Sequence, residues 1–219
     1  NVRLQQGGYY LYDVVTPDGV IEDCTLGIPG WVNIENSVAA VASMWCAARS
    51  RGEVLDEQKL RRGLEQYSGV KRRFEFYINT PRQVYMDDYA HHPEELEATI
   101  TSVRKMFPNR EITAVFQPHL YTRTRDLYRE FAAALSLADK AVLVPIYPAR
   151  EEPIPGVTSE IIFKDITSPE KVLLTKAELM GHLAGLEFGD KEVFVTVGAG
   201  DIDRFVGPIT DLLKEKITS

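Results

Sequence analysis

The stretch Ile112-Thr113-Ala114-Val115-Phe116-Gln117-Pro118-His119-Leu120-Tyr121-Thr122-Arg123-Thr124 decides how this sequence is read. Its first five residues form a nearly unbroken apolar run, the pattern of a strand covered on both faces. The residues after Phe116 are mostly polar or aromatic. They lead into a helical periodicity from about Thr124 to Leu137 that places Leu127, Phe131 and Leu135 on one face. Strand, polar turn and helix together make half of a βαβ unit.

The same alternation extends in both directions. Upstream, Phe74 to Ile78 and Gln83 to Asp87 read as a hairpin around Asn79-Thr80-Pro81. A helix starts at Pro93, with Glu94 and Glu95 near the positive end of its dipole and Leu96, Ile100 and Val103 on its apolar face. Downstream, Ala141 to Ile146, Val172 to Leu174 and Val193 to Val197 read as strands. Between and after them, Thr158 to Asp165, Ala177 to Leu186 and a final segment burying Phe205, Ile209, Leu212 and Leu213 read as helices. Apolar strands separated by amphipathic helices predict an α/β fold: a mostly parallel sheet with helices on both faces.

Residues before about 70 have a different character. Tyr9 to Thr16 and Val20 to Ile28 are extended around the turn Pro17-Asp18-Gly19. A helix with Asn33 as N-cap follows, with Ile34, Val38, Val41, Ala42, Trp45 and Ala48 on one face. A second helix runs from about Asp56 to Gln66. A β-hairpin plus two helices, then the basic step Lys71-Arg72-Arg73, sets a domain boundary near residue 70. The two domains expected are 1–70 and 71–219.

Composition narrows the function. The 219 residues carry 25 Lys plus Arg against 32 Asp plus Glu, a net charge of −7, which argues against wrapping a nucleic acid. No apolar run approaches the ~20 residues of a membrane span. Cys24 and Cys46 are the only cysteines and form no CxxC, so no structural zinc site is expected and a reducing, cytoplasmic compartment is favoured.

In sheets of this kind ligands bind beyond the carboxyl ends of the strands. The unusual polar residues fall there: Asp87-Asp88-Tyr89-Ala90-His91-His92, Gln117 to Thr124, Tyr147 to Glu152 and Gly198-Ala199-Gly200-Asp201. Each has a plainer reading, Asp87 or Asp88 as turn former and His92 as helix cap among them. His91 and His92 project differently and have no third ligand at metal spacing, so no metal site is expected. Arg123, a cation near a helix N-terminus, is unfavourable for the dipole and points to an anionic ligand. Arg72-Arg73 reads either as solvated linker charge or as an anion grip between domains. The glycine turn at 198–200 lacks the third glycine of a GxGxxG and reads as a close backbone approach or a helix entry, with no dinucleotide site implied. His182, in a helix, reads as a surface residue.

Taken together, these strings resemble the Mur ligase family. They are Gly69-Val70-Lys71-Arg72-Arg73-Phe74-Glu75, Asp87 to Pro93, Phe116 to Thr124, Tyr147-Pro148-Ala149-Arg150-Glu151 and Pro153-Ile154-Pro155-Gly156. The resemblance implies the end of a central ATP-binding domain at 1–70, a partial α/β remnant, followed by a C-terminal Rossmann-like domain at 71–219. It implies that ATP phosphorylates the lactyl carboxylate of UDP-N-acetylmuramate and that the amine of L-alanine attacks the acyl phosphate, a step of peptidoglycan synthesis. Mg²⁺ would be held mainly by parts outside this chain. Since 1–219 holds no GxxxxGK[ST] loop, the chain alone is expected to be inactive.

Residue by residue, the resemblance puts Asn33 and Asn36 near adenine, Arg73 on the nucleotide from the hinge, and Asp88 on the ribose hydroxyls. It puts Tyr89, His91, His119 and Arg123 around the amino acid, with the last three beside the reacting atoms. Val32 and Leu120 depart from the commoner pattern, where His and Arg stand; the latter leaves more of the carboxylate binding to Arg123. Two other readings stay open: a ligase acting on recycled tripeptide, and a non-catalytic nucleotide or amino-acid binding module.

Overall fold

Three short strands pair antiparallel in the first seventy residues: β1 (Val2–Leu4), β2 (Tyr10–Thr16) and β3 (Gly19–Thr25), in the order β1-β2-β3. The computed structural model describes residues 1–186 and 191–218. The chain divides into two compact units, Asn1–Val70 and Lys71–Ser219.

In the first unit the two-residue turn Pro17-Asp18 joins β2 to β3, with Thr16 opposite Gly19. Two helices follow, α1 (Trp31–Ser50) and α2 (Glu57–Gln66). Their core is small: Tyr10, Tyr12, Val14, Ile21, Cys24 and Leu26 of the sheet segment against Ile34, Val41, Leu60 and Leu64 of the helices. The hairpin expected from the sequence is thus widened by a third strand.

Helix α1 begins three residues earlier than the Asn33 cap implies. Gly30, at φ 105°, turns the chain into the helix, and the Asn33 side-chain amide donates to the Pro29 carbonyl at 2.6 Å instead of capping. The buried face also differs from the expected stripe. It comprises Ile34, Ser37, Val41 and Ala48, while Val38 and Ala42 are exposed. Ser37 can be buried because its hydroxyl pairs with the Tyr12 hydroxyl at 2.7 Å and donates to the Ile34 carbonyl.

The second unit is a six-stranded sheet of order β4-β5-β9-β6-β7-β8. Its strands are β4 (Glu75–Asn79), β5 (Gln83–Asp88), β6 (Glu111–Phe116), β7 (Lys140–Leu143), β8 (Glu170–Leu173) and β9 (Glu192–Val197). Only the β4–β5 pair is antiparallel; every other pair is parallel. Helices α3 (Pro93–Met106), α4 (Tyr121–Leu135) and α5 (Glu160–Asp165) cover one face. Helices α6 (Lys176–Gly185) and α7 (Val206–Thr218) cover the other. This is the α/β arrangement the sequence predicts.

Strand residues alternate between the faces with period two. Val193, Val195 and Val197 enter the first layer with Leu96, Phe131 and Leu135, whereas Phe194 enters the second with Leu179, Ile209 and Leu213. Strand β7 stops well short of Ile146, because Pro145 has no N–H to continue the ladder. His182 is half-buried, not a surface residue. The last strand, β9, inserts between β5 and β6, so the carboxyl ends of three strands from distant parts of the sequence lie side by side.

Candidate active site

Strand β5 ends in two carboxylates that are both buried. Asp87 accepts from the Arg72 Nε at 2.9 Å and the Thr196 hydroxyl at 2.6 Å. Burial pushes its carboxyl above the usual range, and these two donors pull it back. Arg72 also donates to the Gly198 carbonyl, so one guanidinium ties the end of β5 to the end of β9. Asp88 accepts from the backbone N–H groups of Phe74, at 2.9 Å, and Ala90, at 2.8 Å. Its burial likewise raises the carboxyl and the two N–H donors oppose the rise. The pair fixes the turn that presents Tyr89 and His91.

Four rings then run along the rim. Tyr89 meets His91 edge-on at 5.3 Å, His91 meets His119 edge-on at 5.9 Å, and His119 stacks on Tyr147 at 5.7 Å between centroids. At one end, the Arg72 and Arg73 guanidinium groups lie 5.2 and 5.3 Å from the Tyr89 ring centre. Arg73 itself is exposed. At the other end, the Lys176 ammonium lies 5.9 Å from the Tyr147 ring centre. Arg123, in the first turn of α4, donates to the His91 carbonyl at 3.3 Å.

The loops after β6 and β7 are joined beyond the sheet. Leu120 donates to the Tyr147 carbonyl at 3.0 Å and Tyr147 to the Pro118 carbonyl at 2.8 Å, so His119 and Tyr147 pair as in a parallel strand. Leu120 adopts φ 73°, a left-handed conformation unusual for a branched side chain. The Nδ1 of His119 is buried and has no hydrogen-bond partner among the described residues. Burial, then the nearby Arg123 and His91, hold the His119 imidazole below its ordinary value, against a smaller opposite pull from Glu151. A half-buried imidazole whose charged form is disfavoured in this way can accept a hydrogen bond from a ligand.

Under the rings lies Gln117. Its side-chain oxygen accepts from the Ile202 N–H at 2.9 Å, and its side-chain amide donates to Asp201 at 2.8 Å; Lys176 also reaches Asp201, at 2.5 Å. The glycine turn closes over it. A Cβ on Gly198 would sit 2.7 Å from the Gln117 carbonyl oxygen, and one on Gly200 would sit 2.3 Å from its side-chain oxygen. Of the two readings the sequence leaves open for this turn, close backbone approach and helix entry, the glycines serve the first.

The structure therefore brings Tyr89, His91, His119 and Arg123 to one rim, with Arg73 beside Tyr89. His92 is a helix cap: its Nδ1 accepts from the Glu94 N–H at 3.4 Å. Asn33 and Asn36 lie in the first unit, where they line a groove of about 420 Å³ between α1 and α2 together with Met44, Lys59 and Tyr67. Tyr147, Gln117 and Glu95 belong to the second unit's rim and its support but were not singled out from sequence. The spacing of His92 and Glu95, a cap residue with an acid three positions on, was the available signal for the last.

Among the described residues no cluster of three or more His, Cys, Asp or Glu is placed to hold a metal ion. No helix among them is long and apolar enough to cross a membrane.

Residues 72–200, which hold this sheet and its rim, match the family model of the Mur ligase, glutamate ligase domain; the chain belongs to that family. It is 46% identical over 217 residues to the UDP-N-acetylmuramate–L-alanine ligase of Parabacteroides distasonis, covering 99% of this chain and 45% of the relative. The same identity and coverage hold for the enzyme of that name from Phocaeicola vulgatus. Among solved structures, the UDP-N-acetylmuramate-alanine ligase MurC of Thermotoga maritima superposes with a TM-score of 0.73 at 25% identity, covering 98% of this chain and 45% of that one. The folylpolyglutamate synthase of the same organism shares the fold, with a TM-score of 0.65 at 17% identity over 97% of this chain and 48% of that one. The chain spans about half the length of the curated relatives it matches.

Proposed function

We propose that this chain carries the amino-acid site, and part of the nucleotide site, of a cytoplasmic ATP-dependent ligase that joins L-alanine to UDP-N-acetylmuramate through an acyl phosphate. The observation that carries this reading is the convergence of Tyr89, His91, His119 and Arg123 at one rim, in a chain close in sequence to ligases of that name.

The geometry suits the task. Arg123 offers a fixed cation to the amino-acid carboxylate, and the N-terminus of α4 adds its partial positive charge. The rings of Tyr89, His91 and His119 wall a small space beside it, and holding amine and acyl phosphate together there supplies most of the acceleration in such reactions. Arg73 beside Tyr89, and the Asn33–Asn36 groove, are the parts assigned to the nucleotide; side-chain amides can read both donor and acceptor on a purine edge. The Asp88 carboxylate already accepts two backbone N–H groups, so ribose hydroxyls would use its remaining lone pairs. Mg²⁺ neutralises phosphate charge in such transfers. The residues described here do not fit a metal site, and none is assigned to it.

The test is ligation by the full-length protein. It is expected to release ADP only when UDP-N-acetylmuramate and L-alanine are both present, and to form UDP-N-acetylmuramoyl-L-alanine. No amide product would remove the reading. Arg123→Ala is expected to raise the KM for L-alanine far more than the KM for ATP, since only the former loses its charge partner. Equal effects on both would take Arg123 out of the amino-acid pocket.

A further inference from the structure

We infer that Glu95 is a positioning residue that fixes His91 as the base for the incoming amine. This rests on the ligase reading above and deepens it. Glu95 is the third residue of α3, and its Oε2 accepts from the backbone N–H groups of His91 at 2.9 Å and His92 at 3.2 Å. Those two contacts complete a helix cap. A third is not explained by capping: the same Oε2 lies 3.3 Å from His91 Nδ1. The Tyr89 carbonyl oxygen lies 3.2 Å from that nitrogen as well. Nδ1 therefore faces two acceptors, which requires a proton on it, and the neutral ring carries its lone pair on Nε2.

An amino acid arrives as an ammonium ion and attacks only after losing a proton. In the step assigned here one N–H bond of the ammonium breaks and its proton goes to His91 Nε2. The freed nitrogen pair forms the C–N bond to the acyl carbon. Phosphate departs with the electrons of the acyl C–O bond and carries off the second ammonium proton as the amide forms. The imidazolium so produced lies beside the Glu95 carboxylate, the relation that orients and stabilises the histidine in acid–histidine pairs of hydrolases.

Glu95 is suited to remain charged. Burial opposes its ionisation, but the His91 and His92 N–H groups, with His91 and Arg73, hold its carboxyl below the usual glutamate range. The other groups around the His91 ring are Tyr89 in its own segment, Arg123 from α4 and His119 from the loop after β6. The His119 Nδ1 has no hydrogen-bond partner among the described residues, and Glu151 acts on that ring only as a smaller, electrostatic pull, so the two histidines are not interchangeable.

Two measurements test the inference. Long-range ¹H–¹⁵N spectra of the ¹⁵N-histidine-labelled chain, assigned with a His91→Gln variant, are expected to show His91 with its proton on Nδ1. A proton on Nε2 alone would overturn the inference without bearing on the ligase reading. In the full-length protein, Glu95→Gln keeps an oxygen for both backbone N–H groups but removes the charge. It is expected to lower kcat about 10- to 100-fold, to leave the KM for L-alanine within about twofold, and to move the acidic limb of the kcat–pH profile to lower pH. An acidic limb that stays in place would reduce Glu95 to a helix cap, whatever the change in kcat. Absence of any ligation by the unsubstituted protein would sink the ligase reading instead, and the tautomer result would stand apart from it.

Discussion

The two units bury their apolar residues on different plans. In the second, β5 and β9 are buried along their whole length, because helices close both faces of a parallel sheet. In the first, a small antiparallel sheet and two helices share ten buried apolar side chains. Among the described residues, every large apolar side chain that is well exposed lies in residues 1–70, apart from Leu137. Val15 is 77% exposed and Val54 86%, and α1 carries Trp31, Val38 and Met44 outward. A continuous apolar run in the second unit is therefore a reliable sign of burial. A helical stripe in the first is not, since α1 has apolar residues on more than one face and only one of them packs.

Each unit has its own core and is expected to unfold as its own cooperative step. Both tryptophans, Trp31 and Trp45, sit in the first, so tryptophan fluorescence follows that unit alone. The largest expected effect comes from Phe131→Ala. Its buried ring lies 5.3 Å from that of Phe116, and its loss is expected to cost the second unit about 3–5 kcal/mol. Urea unfolding by circular dichroism should show that shift while the fluorescence midpoint stays fixed; an equal fluorescence shift would merge the two units into one.

Gly198→Ala comes next. At φ 143°, with a Cβ placed 2.7 Å from the Gln117 carbonyl oxygen, it is expected to cost about 1–3 kcal/mol in the same circular-dichroism transition. A neutral result would mean the glycine turn can move off Gln117. The opposite sign is expected in the first unit: Gly63→Ala, inside α2 with nothing within 4 Å of the new carbon, should raise its stability by up to about 1 kcal/mol. An earlier fluorescence midpoint would show that this helix face is already covered.

The smallest effect is one of pH. Burial foremost, then Arg123 and His91, keep the folded His119 imidazole below its ordinary value of 6.5. The unfolded chain therefore binds that proton first, and the second unit loses stability as pH falls through the ordinary value toward the folded one. His119→Gln is expected to flatten the pH dependence of the second unit's midpoint below the ordinary histidine value of 6.5. An unchanged slope would assign it to other groups.

Much of this was legible in the sequence because it depends on local rules. The period-two and period-3.6 patterns of the second unit placed its strands and helices, the strand-end rule gathered the segments that hold His91, His119 and Arg123, and the family resemblance singled out Tyr89. What was missed depends on distant partners. Asn33 reads as a cap until Gly30 is seen to turn the chain first. Tyr147 looks like one loop tyrosine among several until its backbone pairs with the loop of Pro118 and Leu120. Arg72 and Arg73 are neighbours with the same letter, yet one is bound to Asp87 and Gly198 and the other is exposed, a difference set by residues as far away as position 198. Glu95 carries two kinds of contact at once, and sequence spacing reports only the capping one.

The backbone pairing of His119 with Tyr147 has a practical consequence for anyone redesigning this protein. It continues the ladder past the last regular strand residues, so the backbones that carry two of the rim's rings are held at the separation of adjacent strands, about 4.8 Å, and the rings stack 5.7 Å apart on that frame and not on a freely hinging segment. Lengthening either connection would break the ladder before it widened the opening. Tolerance for a bulkier guest is therefore to be sought by trimming side chains, with the main chain left as it is.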